Sequence, residues 1–337
     1  MLSFQIKGKL DGSLTESPLP VPNSSEVRIK ISYVGICGSD LHYYFDGANG
    51  AFVVKEPLIP GHELSGTIDL DPSGEFAVGS KVTLHPATFG ESIPGLENKR
   101  HLWPGGGYLG SASTMPHTQG AMSEYFIARK DAIRLLPAGL SLKIAALCEP
   151  LGVAIHAINV AEGVEGKEVL VSGSGPIGLM VIAACKVLGA KRIVATDVLD
   201  SALLRAKELG ADEVINVTKS SPAENTFDLV FECSAAAPAV SGALQWLKRA
   251  GILVQVGMMG AAPQQIAIAP LVAKEIQIRG SFRFNTEIDD AIEMLASNEW
   301  IGKAISHTIK ISEVISAFNI AKDSAQSGKV LVQLDDQ

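Results

Sequence analysis

The chain has 337 residues, 47% of them hydrophobic and 19% charged, with a net charge of −8. That length exceeds the size at which one core usually keeps growing, so two domains are expected, and the composition excludes a disordered protein. No Lys/Arg cluster offers a track for a phosphate backbone, which argues against nucleic acid as a partner.

The apolar run around 176–185 ends at Lys186, too short to cross a bilayer, and the first residues lack a signal-peptide pattern. No membrane partner is expected, and the expected location is cytoplasmic. Gly- and Pro-rich sequence fills the first ~145 residues, where short β-like runs at 27–34, 65–70 and 81–84 predict a small irregular β domain. The texture changes after Glu149. Compact apolar runs at 168–172, 192–196, 213–217, 229–233 and 252–256 read as strands. The stretches 176–188 and 201–209 read as helices between them. Strands alternating with helices predict a doubly wound parallel sheet, so the class is α/β. Strand-like material is also expected within 265–280. Beyond 281 the pattern is mixed, until the tail 328–334 reads as a last strand returning to the first domain. The four cysteines, Cys37, Cys148, Cys185 and Cys233, show no C-x-x-C spacing, so no disulfide framework is implied. Cys185 and Cys233 read as buried thiols.

Gly173, Ser174, Gly175, Pro176, Ile177 and Gly178 fit G-x-G-x-x-G, a weak signal by itself. Here it follows a strand, opens a helix, and Asp197 closes the next strand. Gly173 would make the tight turn, Gly175 would let backbone approach a pyrophosphate, and Gly178 would let helix and strand pack closely. The helix N-terminus adds partial positive charge for the phosphates. Asp197 can bond both ribose hydroxyls and would repel a 2′-phosphate. Residues 198–201 supply no cation, and Arg205 comes only two turns into the helix. The pattern predicts an NAD site, the alternative being a packing turn with Asp197 as a helix cap.

Three segments carry possible metal ligands: Cys37 within GICGSDLHYY, His62 and Glu63 within GHE, and Cys148 and Glu149 before Pro150. A catalytic zinc wants three protein ligands and one open position. These residues are far apart, so spacing does not group them, and the second histidine of H-E-x-x-H is missing.

In this order, GICGSDLHYY, IPGHELSG, CEPLGVAIHA and GSGPIG resemble the zinc-containing medium-chain dehydrogenases over essentially the whole chain. The HYY, the FVVKEPLIPGHE approach and GSFRFN at 280–285 resemble sorbitol dehydrogenases and, more closely, L-idonate 5-dehydrogenases. The resemblance implies a GroES-like catalytic domain over 1–149, completed by 284–337, and a Rossmann domain over 150–283. It implies one catalytic zinc per chain held by Cys37 and His62, with Glu149 at the third position. Glu63 would coordinate directly or exchange with Glu149, and Cys148 is the alternative to Glu149. Family members often carry a structural zinc on four cysteines, but 86–110 contains none, so that ion is expected to be absent. The Gly105–Gly106–Gly107 turn and Trp103 would rebuild the lobe.

By the same resemblance, Ser39 and His42 form a proton relay, the plainer readings being a turn cap and a surface imidazole. Tyr43 lines the substrate pocket or simply packs. Arg283 binds substrate, and its fork suits a carboxylate, but sorbitol dehydrogenases carry an arginine here too, so Arg283 alone does not separate the two substrates. Phe282 and Lys329 lie near the cofactor. The expected reaction is NAD-linked oxidation of a secondary alcohol on a polyol or sugar acid, foremost L-idonate to 5-keto-D-gluconate. Sorbitol or xylitol is the alternative. A zinc-free quinone reductase and an NAD-sensing protein without turnover are the other classes weighed. A homodimer or homotetramer is expected, formed through the edge of the dinucleotide sheet.

Overall fold

The computed structural model describes residues 1–335. They divide into two compact units. The first holds Met1–Glu149, Ala291–Asp323 and the stretch beginning at Lys329; the second holds Pro150–Asp290 and Ser324–Gly328.

The first unit is built on a seven-stranded sheet. Its order is Ile133–Leu135, Lys81–Leu84, Glu63–Leu70, Glu26–Gly35, Lys329–Gln333 and Ile305–Lys310, with Tyr125–Arg129 also paired to Glu26–Gly35. Val27, Ile29 and Ile31 alternate inward and are fully buried, as a pleated strand with one covered face requires. The strand Lys329–Gln333 runs antiparallel to Glu26–Gly35 and parallel to Ile305–Lys310. Residues 86–110 form a loop-rich lobe closed by the pairing of Ala87–Thr88 with Gly107–Tyr108. Inside it the Arg100 guanidinium lies 4.0 Å from the Phe89 ring and 5.9 Å from the Trp103 ring. The Trp103 indole donates to the Leu96 carbonyl at 2.9 Å. The Arg100 cation thus lies within reach of two aromatic faces inside the lobe.

In the second unit six strands pair in parallel, in the order Glu213–Asn216, Arg192–Asp197, Glu168–Ser172, Phe227–Glu232, Leu247–Gln255 and Gln277–Gly280. Val169, Leu170, Val171, Ile193, Val194 and Ala195 have no exposure, because helices cover both faces of such a sheet. Strand order reverses between Glu168–Ser172 and Phe227–Glu232. Their carboxyl ends therefore open a crevice, the usual binding place in this architecture. Only part of 265–280 is strand. Pro270 opens the short helix Ala269–Ala273 and interrupts any ladder, leaving Gln277–Gly280 as the sheet's edge. No helix among the described residues is long and apolar enough to cross a membrane.

Candidate active site

Cys37 leaves the strand Glu26–Gly35 and sits at the N-cap of the helix Gly38–Asp46. Asp40, three residues on, is fully buried and serves two segments. Its Oδ2 accepts from the Cys37 N–H at 2.9 Å, and its Oδ1 accepts from the Gly61 N–H at 3.2 Å. One carboxylate thus fixes the backbone at Cys37 and the residue preceding His62. Burial pushes the Asp40 carboxyl above its usual range, against the opposing pull of His62. Gly61 has φ of +96°, a conformation that favours glycine, and a Cβ there would press on Val34.

His62 and Glu63 then enter the strand Glu63–Leu70. Among the described residues, Cys37, His62 and Glu63 form a group whose ligand atoms all lie within 4.8 Å of one another. His62 is 5% exposed, and its ring meets the Tyr108 ring edge-on at 5.3 Å. Burial works against a charged imidazole, but the neighbouring Cys37, Glu149 and Asp40 outweigh it and raise the His62 pKa. Two buried atoms here, His62 Nδ1 and Glu63 Oε2, have no hydrogen-bond partner. A Cβ on Gly35 would collide with Glu63 Oε2, so glycine is what leaves that carboxylate its space. A cysteine sulfur, an imidazole and a carboxylate oxygen without a hydrogen bond are a donor set suited to zinc, and a buried cation would satisfy that oxygen.

Lys329 is 2% exposed, and its Nζ donates to Glu63 Oε1 at 2.7 Å and to the Ile36 carbonyl at 3.1 Å. Burial disfavours its charge, yet the negative charge of Glu63 and Cys37 prevails and raises its pKa. Glu149, the second residue of the helix Cys148–Val160, lies outside the three-ligand group and accepts from the Tyr108 hydroxyl at 2.5 Å. Burial pushes its carboxyl upward despite the nearby His62. Cys148 is fully buried and lies outside the group, and burial pushes its thiol up.

Ser39 and His42 are three residues apart on the helix Gly38–Asp46, hence on one face. Ser39 is half-buried; the His42 side chain is 60% exposed, with its Nδ1 3.0 Å from Asp46 Oδ2. Tyr43 lies in the core at 2% exposure. Its hydroxyl accepts from the Ala112 N–H at 3.0 Å and lies 3.3 Å from Ser111 Oγ.

The glycine turn lies in the second unit. Gly173 has φ of +91°, and a Cβ there would fall 2.8 Å from the Ser234 nitrogen. Gly175 caps the helix Pro176–Val187 and faces open space, whereas a Cβ on Gly178 would strike the Gly173 carbonyl oxygen. Asp197 Oδ2 accepts from the Ser174 N–H at 2.8 Å and Oδ1 from the Leu199 N–H at 3.0 Å. A cavity of about 700 Å³ opens here, lined among others by Gly173, Asp197, Val198, Glu224, Pro238 and Trp246. Glu232, which sequence reasoning missed, accepts from the backbone of Ser234 and Ala235 and from the Gln255 amide. It thereby fixes the bend that leans on Gly173. Phe282 and Arg283 belong to the same unit, and the Arg283 guanidinium stacks 4.8 Å from the Phe282 ring. Of the other unforeseen residues, Asp40 had a signal, since C-x-x-D has capping-box spacing; Tyr108 had none.

Residues 23–138 match the family model for the alcohol dehydrogenase GroES-like domain, and 176–297 match that for zinc-binding dehydrogenases. The chain is 34% identical to L-idonate 5-dehydrogenase (NAD(P)(+)) of Escherichia coli (strain K12), covering 97% of both chains. The chain belongs to the zinc-binding medium-chain dehydrogenase family. As a zinc-binding dehydrogenase it is an oxidoreductase, which gives the Cys37, His62 and Glu63 group its chemical context. The chain is also 32% identical to sorbitol dehydrogenase of Bos taurus, over 99% of this chain and 96% of the relative. The crystal structure of L-idonate 5-dehydrogenase from Escherichia coli superposes with a TM-score of 0.92 at 34% identity, covering 99% of this chain and 98% of that one. Both units thus share a known architecture.

Proposed function

We propose that this dehydrogenase oxidises a secondary alcohol on a sugar acid, foremost L-idonate to 5-keto-D-gluconate, with NAD as acceptor. The observation that carries the reading is the clustering of Cys37 with the buried His62 and Glu63, in which Glu63 Oε2 lacks a hydrogen-bond partner. These three residues would hold zinc, with Glu149 as a second carboxylate that exchanges with Glu63. When bound, zinc supplies Lewis acidity that favours deprotonation of a substrate alcohol near neutral pH, and the nicotinamide is the hydride acceptor.

The chain's own residues do the rest. Lys329 neutralises one oxygen of Glu63 and leaves the other for the metal. Ser39 takes the substrate proton and His42 passes it to solvent, a task that suits an exposed imidazole. Gly173, Gly175, Pro176, Ile177 and Gly178 cradle the pyrophosphate, and Asp197 binds the ribose. Asp197 and Glu224 both line the nucleotide cavity, and two acids there oppose a 2′-phosphate. The Arg283 fork would grip the substrate carboxylate, supported by the likeness to the L-idonate relative. Phe282 backs that guanidinium. Tyr43, with its hydroxyl committed to Ser111 and Ala112, acts by packing behind the site. A second copy would pair along the edge strand Gln277–Gly280, where Ile278 is 46% and nearby Val272 79% exposed.

The bovine relative favours sorbitol as the second reading. NADH absorbance with L-idonate, sorbitol and xylitol, under zinc or chelator and with NAD or NADP, separates the two. The expected result is zinc-dependent turnover, fastest on L-idonate and with NAD. An equal or reversed preference for sorbitol retires the sugar-acid assignment.

A further inference from the structure

Among the described residues the buried acids are Asp40, Glu63, Glu149, Glu232 and Glu287. Four of them are held at several points or by a cation. Asp40 and Glu232 collect backbone N–H groups, and Glu63 pairs with Lys329. Glu287 accepts from the N–H groups of Asn285 and Thr286 and lies 2.7 Å from His156 Nδ1. Burial opposes its charge, but His156 and those donors outweigh it and hold the carboxyl down to about 2. Glu149 differs. It is 5% exposed, and the one hydrogen bond of its side chain among the described residues comes from the Tyr108 hydroxyl, at 2.5 Å.

Tyr108 reaches Glu149 from the lobe 86–110, and the lobe fixes its place. The strand Gly107–Tyr108 pairs with Ala87–Thr88, the Gly107 N–H donates to Thr88 Oγ1 at 2.8 Å, and the Leu109 N–H donates to the Pro86 carbonyl at 3.0 Å. Glycine permits this closure: a Cβ on Gly106 would fall 2.4 Å from the Thr88 carbonyl oxygen. The Tyr108 ring is buried and meets the His62 ring edge-on. All of these residues lie in the first unit.

Tyr108 therefore packs on one candidate ligand and hydrogen-bonds the other. Drawing Glu149 onto a metal forfeits its hydrogen bond, whereas Glu63 Oε2 has none to lose. A hydrogen bond to a charged group is worth at least about tenfold in an equilibrium constant, so the phenol biases the exchange toward Glu63. The same order appears in the geometry, where Cys37, His62 and Glu63 form the close group and Glu149 stands outside it.

We infer that the Tyr108 hydroxyl is a positioning group that holds Glu149 off the metal, so that zinc rests on Cys37, His62 and Glu63 with a coordination position left open. This deepens the metal-site reading proposed above and rests on it; the identity of the substrate does not enter.

The test loads metal-free parent, Tyr108→Phe, Glu149→Gln and the double variant with Co2+, without substrate or NAD. It records the visible cobalt spectrum, which follows ligand type and geometry, and the Co2+ dissociation constant by competition with a chelator. Phenylalanine keeps the ring on His62 and removes only the hydroxyl. Tyr108→Phe is expected to change the spectrum and to bind Co2+ about 10-fold more tightly, as the freed Glu149 joins the metal. Glu149→Gln should match parent in both readouts, and the double variant should return to parent. Should Tyr108→Phe not fold, Glu149→Gln decides alone. A Glu149→Gln spectrum unlike that of parent places Glu149 on the metal at rest and overturns the inference. So does Tyr108→Phe that matches parent or binds Co2+ more weakly, or a change that survives in the double variant, since Tyr108 then acts through His62. In each of those cases the metal-site reading stands if Cys37→Ser alters the cobalt spectrum. A Cys37→Ser spectrum identical to that of parent, or a parent that takes up no Co2+, overturns both.

Discussion

Replacing Lys329 by methionine is the most direct probe of how Glu63 is kept available. The two side chains are 3% and 0% exposed and 2.7 Å apart, so the pair is effectively dry. Methionine keeps the bulk but strands Glu63, whose Oε1 loses its cation while Oε2 already lacks a hydrogen bond. Removing one partner from such a pair costs about 3–5 kcal/mol, which lowers the melting temperature by about 10 °C in a unit of this size. Thermal unfolding of chelator-treated K329M, E63Q and K329M/E63Q closes a double-mutant cycle. The double variant should recover at least about 2 kcal/mol, because no bare carboxylate then remains. Zinc should narrow the gap between K329M and parent by supplying the missing positive charge. Metal-free K329M melting within about 2 °C of parent would refute the argument.

Two further outcomes follow from other parts of the molecule. Gly178→Ala drives a Cβ into the Gly173 carbonyl, so the turn must open; KM for NAD should rise at least about 10-fold while bound zinc, measured by atomic absorption, stays at parent level. Glu287 titrates at about 2 when folded against a reference of 4.5, a depressed value, so its contribution is complete above that reference and fades as pH falls toward 2. By linkage it is worth about 3 kcal/mol at neutral pH. Urea unfolding should therefore show Glu287→Gln less stable than parent at pH 7, with the gap closing through that window; a gap unchanged at low pH contradicts the assignment.

The second unit was legible because parallel strands covered on both faces must be apolar throughout. The run 168–172 matches its strand, and the glycine turn follows it directly. The strand Leu247–Gln255 begins well before the expected 252, since Lys248 and Arg249 at its start hide it and Ala250 has φ of +58°. The run Gln264 to Ile268 alternates like a strand, but Pro270 stops it. In the first unit, motif resemblance pointed to Cys37 and His62. That a buried lysine pairs with Glu63 was not readable, because it lies 266 positions away. Nothing local distinguishes Lys329 from a solvated lysine; only its place in a central strand does.

The position of that strand has a consequence for biosynthesis. The pleated sheet that carries Glu63 flanks Glu26–Gly35 with Lys329–Gln333, and the whole nucleotide-binding unit is translated in between. The N-terminal portion therefore emerges with a gap in its hydrogen-bond ladder and an uncompensated buried acid, whereas the inserted unit can mature first. A fragment stopping at residue 149 would lack two of the seven strands and leave Glu26–Gly35 partly unpaired, so chaperone dependence should be concentrated in that interval.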